Sequence, residues 1–361
     1  MKYMFIIQGD GRGHMTQAIT LSEILQRNGH EVSEVLVGKS KTREIPQFFQ
    51  KKINAKVRTF DTFSFIFRKN KKQIHPLKTM LYNVSPKRIR KYKKSMELIN
   101  RRILKNNPDV VINFYEILAG LTNLRFSIKT PFINIGHQYL LKHPDYEHAK
   151  GDDPGMLLFR MHTLLCGVRA IKTLALSFYP IKDHIADRIA VVPPLIRKEV
   201  LDIKPEEGNF VLGYMLNQGY EKEVRQWHKA NPDTELHFFW DKTGAPKETV
   251  IDKKFVLHAL DDELFVQYMA KCRAYITTAG FESVCEAMYL DKPVMMIPTH
   301  VEQSVNASDA ASINAGITGE DFDISKLLDY MKSNERINNN TFREWVNSSE
   351  EIFLKHLTIL V

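Results

Sequence analysis

The sequence predicts an α/β fold of two doubly wound, Rossmann-like domains facing each other across a cleft, and three features carry that prediction. An apolar run, Lys2 to Gln8, feeds a glycine-rich turn and then a segment with helical periodicity. Near mid-chain the same order restarts, with Asn209 to Leu216 as a strand and Asn217-Gln218-Gly219-Tyr220 as a turn. A third stretch, Ala274 to Ala311, reads as strand, glycine turn, helix, second strand and polar loop, which is a βαβ unit. The chain has 361 residues, the length of two or three domains, and 43% hydrophobic residues to fill their cores.

In the first half, Gly9-Asp10-Gly11-Arg12-Gly13-His14 turns the chain at the end of strand one and brings His14 to the carboxyl edge. Ala18, Leu21, Ile24 and Leu25 mark one face of the following helix, which stops at Asn28-Gly29 before a strand from His30 to Val37. A dinucleotide site wants an acid at the end of that strand, but the sequence there is Val37-Gly38-Lys39. No Gly-Lys-Ser/Thr closes the turn, so a P-loop fails too. Phe60, Phe63, Phe65, Ile66 and Phe67 form an aromatic patch, and the Ser85-Pro86 signal opens a helix to Asn106 with Ile89, Tyr92, Met96, Ile99 and Ile103 on one stripe. The strands Asp109 to Asn113 and Phe132 to Ile135 end in Phe114-Tyr115-Glu116 and Gly136-His137-Gln138.

Prolines and charges from Val192 to Gly208 mark the boundary, giving domains at 1–195 and 208–335 and a terminal helical segment, 336–361, that crosses back to the first. The second half continues with a helix from Glu221 to Ala230, strands Glu235 to Trp240 and Lys254 to His258, and a helix from Asp261 to Cys272. After the strand Ala274 to Thr278, Ala279-Gly280 turns the backbone so that the first amides of a helix beginning near Glu282 point outward, an end that favours a diphosphate. Glu286 lies one turn further on. Pro293 opens the strand Val294 to Ile297 and Pro298 closes it, before Thr299-His300-Val301-Glu302-Gln303 and Asn306-Ala307 in a polar loop. Asp321-Phe322-Asp323 precedes a helix at Ile324, where Asp323 reads as a cap rather than a metal ligand.

This order of alanine-glycine, helical Glu-Ala, proline-bounded strand, Glu-Gln and Asn-Ala resembles the donor-sugar site of GT-B glycosyltransferases of the peptidoglycan GlcNAc transferase and UDP-glucuronosyltransferase type. The Gly-x-Gly-His turn and its x-x-x-Ala-x-x-Leu helix resemble the opening of their acceptor domain. The resemblance implies donor contacts from Gly280 and Phe281 to the diphosphate, Glu286 to the ribose, and Glu302 and Gln303 to the sugar. It further implies main-chain reading of the base at Leu260 beside His258, with Asn217 facing the cleft. His14 then acts as base, with Gly11, Gly13, Asn113 and Gln138 in the acceptor site. Relatives often have an Asp near Asn113 to orient the histidine; Asn113 lacks the charge, so either Glu116 substitutes or His14 works alone, and His137 is an alternative base or acceptor ligand. The sequence also departs at Phe281-Glu282, where relatives often carry Ser, Thr or Asn.

The implied reaction is transfer of a hexose or hexosamine from a nucleotide diphosphate sugar, UDP by resemblance, to a glycan, polymer or lipid-linked acceptor. It is expected to be inverting, metal-independent and free of any cofactor, because helix amides rather than a cation neutralise the leaving diphosphate. A UDP-sugar 2-epimerase of the same fold and a non-catalytic nucleotide-sugar or nucleic-acid binding protein stand as alternatives. The three cysteines, Cys166, Cys272 and Cys285, lack metal spacing and read as buried thiols. With no signal segment or membrane-spanning run, the expected location is cytoplasmic and peripheral at the inner membrane face. That expectation rests on residues 68–105, which hold fourteen Lys and Arg against the single acid Glu97 in a chain of net charge +9. Basic residues beside phenylalanines suit an anionic membrane surface; a solvated helix over a buried strand is the plain alternative, and nucleic acid is disfavoured because no binding motif accompanies them.

Overall fold

The computed structural model describes residues 1–40, 45–64, 66, 75–149, 151, 153–215, 218–240, 242, 244–333 and 339–358. Met1–Ile66, His75–Arg197 and Trp345–Val361 form one compact unit, and Lys198–Glu344 forms the other.

The first unit is built on β1 (Lys2–Gln8), β2 (Glu31–Lys39), β3 (Lys56–Asp61), β4 (Val110–Phe114), β5 (Phe132–Ile135), β6 (Lys172–Leu176) and β7 (Ile189–Val192). They form one parallel sheet in the order β3-β2-β1-β4-β5-β6-β7. Tyr3 to Ile7 are consecutive and wholly buried, as a strand covered on both faces requires. The direction of winding reverses between β1 and β4, so the carboxyl ends of these two strands frame a crevice suited to a ligand. From Trp345 on, the terminal segment belongs to this unit: Trp345 Nε1 donates to the Ser177 carbonyl (3.0 Å) and Tyr3 Oη to that of Leu357 (3.2 Å). Residues 340–358 form two helices, Asn340–Asn347 and Ser349–Thr358.

The second unit repeats the plan with β8 (Val211–Met215), β9 (Leu236–Trp240), β10 (Glu248–Asp252), β11 (Phe255–Ala259), β12 (Ala274–Thr277), β13 (Val294–Met296) and β14 (Gly316–Thr318). Its order is β10-β11-β9-β8-β12-β13-β14, parallel except for the antiparallel edge pair β10 and β11. The switch point here lies between β8 and β12, so β12 occupies the place that β4 holds in the first unit.

Three expectations differ from the structure. The polar stretch after β13 is not a loop: Val301–Ser312 is a helix. The basic helix, Pro86–Asn106, buries Arg88, Tyr92, Ser95, Ile99 and Ile103, while Ile89 is exposed, because the groups beneath its first turn are acceptors rather than hydrocarbon. Arg88 donates to the Thr62 carbonyl (2.7 Å), Ser64 Oγ (3.1 Å) and Tyr92 Oη (3.1 Å). Phe60 is buried in β3 and Phe63 stacks on Tyr92 at 4.6 Å, so neither forms a free aromatic patch; Phe65 and Phe67 lie outside the described residues.

Candidate active site

In the first unit, the turn after β1 is packed against β2. Gly9 N donates to the Gly38 carbonyl (3.0 Å), and any Cβ on Gly9 would collide with that oxygen. Gly11 stands at the N-cap of the Arg12–Arg27 helix without a side-chain cap, and Gly13 lies in its first turn. His14 follows, buried, with Nδ1 at 3.2 Å from Gln17 Oε1 and its ring stacked on Tyr115 at 5.8 Å. A carbonyl oxygen can only accept, so Nδ1 carries the proton and Nε2 is the basic nitrogen of that ring. Tyr115, which sequence reasoning did not single out, sits at φ 57°, a costly backbone state for an aromatic residue, and shares a 2.7 Å hydrogen bond with Thr163.

Glu116 does not orient His14. Its Oε1 accepts from Thr62 Oγ1 (2.6 Å) and from the Leu118 amide (3.0 Å), capping the Ile117–Phe126 helix, and its Oε2 lies against Gly38 with no hydrogen-bond partner among the described residues. Burial, with the nearby charge of Asp10, pushes its pKa up to about 7. Asn113 is likewise a brace rather than an acceptor contact. Its Nδ2 donates to Asn134 Oδ1 (3.1 Å) and the Cys166 carbonyl (2.9 Å), and its Oδ1 accepts from the Glu116 amide (2.9 Å), which occupies both of its donor hydrogens. His137 is buried beside Phe178 and donates from Nδ1 to the Leu176 carbonyl (2.9 Å), which places its lone pair on Nε2. Gln138, next to it, is buried as well.

In the second unit, the turn from β12 into the Phe281–Tyr289 helix matches the turn after β4 at its last two residues, although it is one residue longer. Ala279 sits at φ 60°, close to the 57° of Tyr115, and Gly280 occupies the N-cap position that Glu116 occupies in the first unit. The two turns differ in what meets the helix amides. Glu116 covers its own helix end with a carboxylate, whereas Gly280 offers no side chain and the helix has no side-chain cap. Nothing in the fold demands glycine there: its φ is −69°, and an added Cβ would approach nothing closer than Ser283 Oγ at 3.7 Å. Glycine at such a place leaves room for a ligand to reach the backbone.

Glu286 is buried one turn further along this helix. On the Val301–Ser312 helix, which also lacks a side-chain cap, Glu302 lies in the first turn. Gln303 there accepts at Oε1 from both the Thr299 amide (2.9 Å) and hydroxyl (2.7 Å). Those bonds fix the orientation of its amide and turn Nε2 the other way. Leu260 stands half-buried between β11 and the Asp262–Lys271 helix, which Asp261 caps through Leu264 N (2.9 Å). His258 is not a base contact. It is buried, stacked on Phe239 at 4.9 Å and bonded to His237 at 2.9 Å, and burial followed by the His237 charge lowers its pKa to about 4. Asn217 lies outside the described residues. Asp323 accepts from Ser325 N (3.1 Å) at its helix start, and no group of three metal-ligating side chains occurs among the described residues.

Comparison with known proteins agrees with this architecture. A family profile described as Glycosyl transferase family 1 matches residues 1–334. Among solved structures, the calicheamicin glycosyltransferase CalG4 is 15% identical with a TM-score of 0.63, covering 98% of each chain. Arabidopsis thaliana UGT89C1 complexed with UDP is 14% identical with a TM-score of 0.63, over 97% of this chain and 95% of that one. MurG of Acinetobacter baumannii is 13% identical with a TM-score of 0.56, over 99% of both. No curated protein sequence matches the chain.

Proposed function

The chain belongs to glycosyl transferase family 1 and is a glycosyltransferase of the GT-B fold, and we propose that it moves a hexose or hexosamine from a UDP-linked donor to a glycan, polymer or lipid-linked acceptor, with inversion and without a metal. One observation carries the donor half: Gly280 brings no side-chain cap to its helix, where its counterpart Glu116 caps with a carboxylate. A diphosphate is the anion of matching charge and reach, and the Phe281–Ser283 amides are the groups to hold it. Phe281 is buried, so its contribution is its amide alone. Glu286 accepts from the ribose hydroxyls, Leu260 meets the base through its main chain, and Glu302 with Gln303 Nε2 engages the sugar. UDP in the Arabidopsis thaliana structure supports the choice of nucleotide.

In the acceptor half, His14 Nε2 takes the hydroxyl proton as the acceptor oxygen bonds to the anomeric carbon. The bond from that carbon to the phosphate oxygen breaks, its electron pair leaves with UDP, and the helix amides meet the developing charge. His137 serves as an acceptor ligand, with Gly11, Gly13 and Gln138. The acceptor is placed at an anionic membrane surface, which the basic helix attracts.

The test is release of nucleotide diphosphate from a panel of sugar nucleotides, with and without EDTA. UDP sugars are expected to react equally in both. His14→Ala should abolish transfer while leaving UDP affinity within a few-fold. Silence across the panel would refute the transfer reading, and loss of activity in EDTA would refute metal independence.

A further inference from the structure

Ala279 is the residue of the donor turn that needs explaining. It is buried and holds φ 60°, a backbone state in which glycine is at ease and alanine is not, while the neighbouring glycine has ordinary dihedrals. Something outside the turn must keep the alanine there. The contact present is Asn306, on the Val301–Ser312 helix, whose Nδ2 donates to the Ala279 carbonyl at 3.2 Å. Asn306 is 3% exposed, and its Oδ1 is buried with no hydrogen-bond partner among the described residues. A leucine or methionine would fill that space without stranding an acceptor, so packing does not account for an amide at this place. Its donor end does.

We propose that Asn306 is a positioning residue for the donor: by holding the Ala279 carbonyl, it fixes the left-handed turn that aims the Phe281–Ser283 amides. Rotation of the 279–280 peptide would swing those amides away from a diphosphate, since they follow the turn within three residues. Gln303 lies one turn earlier on the same helix, anchored by Thr299, so one element carries both the proposed sugar contact and the clamp on the phosphate turn. The proposal rests on reading this turn as the diphosphate site.

The experiment is a rescue. Asn306→Ala should weaken UDP binding about five- to tenfold, the scale of one hydrogen bond, while leaving uridine binding unchanged. Adding Ala279→Gly to that variant should restore UDP affinity, because glycine holds the turn unaided. Calorimetry of the parent, both single variants and the pair with UDP and with uridine reads this directly. Unchanged UDP affinity in Asn306→Ala, or loss that Ala279→Gly does not repair, overturns the proposal. If Asn306→Ala alone fails to fold and the pair folds and binds UDP, the rescue has been observed in a stronger form. If the parent binds no UDP, the donor reading fails, and thermal unfolding still decides the clamp: recovery by Ala279→Gly of the melting temperature lost in Asn306→Ala supports it, and no recovery refutes it.

Discussion

Glu286 is a buried carboxylate on the helix that leaves the donor turn, and paired hydroxyls are a natural partner for two acceptor oxygens. Glu286→Ala should weaken UDP binding by ~1.5–3 kcal/mol, the worth of hydrogen bonds to a charged group. Calorimetry showing unchanged affinity in a folded variant would remove it from the site. Glu116 makes a prediction of opposite kind. Its pKa is raised from 4.5 to about 7 by burial and by Asp10, so between those values the folded protein holds a proton that the unfolded chain releases. Stability therefore falls as pH rises through that window and the loss is complete above it. Glu116→Gln keeps an oxygen for Thr62 and Leu118 and removes the titration. The variant should gain on the parent at pH 8, by up to roughly 3 kcal/mol, and match it near pH 4. Urea unfolding at the two pH values checks this; an equal difference at both would mean that Glu116 does not titrate.

At the scale of elements, the basic helix shows how one residue's burial changes its meaning. Arg88 sits among the Thr62 carbonyl, Ser64 and Tyr92, so Arg88→Ala should cost about 2–3 kcal/mol in chemical unfolding by leaving those acceptors unmatched. Lys93→Ala and Lys94→Ala, both exposed, should stay within about 0.5 kcal/mol. Equal effects at all three would refute the brace. Helical periodicity of apolar residues selects Ile89 and passes over Arg88, whose buried partners are acceptors. The Val301–Ser312 helix was illegible for the same reason: Gln303, Asn306 and Asp309 recur every third residue on its buried face, where hydrocarbon is expected. Glycine turns and proline-bounded strands are local signals, so the two strand-turn-helix units and the helix that carries Gly280 and Glu286 could be read. Tyr115 at positive φ could not, because sequence carries no sign of a backbone state that the surrounding fold imposes. The resemblance implies His258 as a site residue beside the base, yet three aromatic neighbours that only the fold assembles make it core.

For the whole molecule, a net charge of +9 is gathered largely on one segment, and the fold sorts that segment into charges already used and charges on offer. Arg88 is buried, Lys91 pairs with Asp61 at 3.1 Å, and Arg102 pairs with Glu34 at 2.7 Å, whereas Lys78, Lys87, Arg90, Lys93 and Lys94 are exposed. The apolar contact also moves. With Phe60 and Phe63 packed inward, an exposed apolar stripe among the described residues is Leu77, Met80, Leu81 and Val84 of the Pro76–Asn83 helix and the residue after it, 58, 47, 57 and 55% exposed at helical spacing. No helix among the described residues is long and apolar enough to cross a membrane. An apolar stripe flanked by lysines is the kind of surface that the proposed contact with an anionic leaflet would use. Anionic lipid offers ~1 kcal/mol per nearby Lys or Arg, so a few of these five suffice for reversible recruitment. Lys87→Glu, Arg90→Glu and Lys94→Glu together should release the protein from anionic vesicles without unfolding it. Leu77→Ser with Leu81→Ser should weaken sedimentation at any salt concentration, while added salt weakens the charged contribution by shortening its reach to ~8 Å at physiological ionic strength. Absence of sedimentation of the parent at low salt would refute membrane recruitment. Binding that survives both sets of substitutions would place the contact on another face.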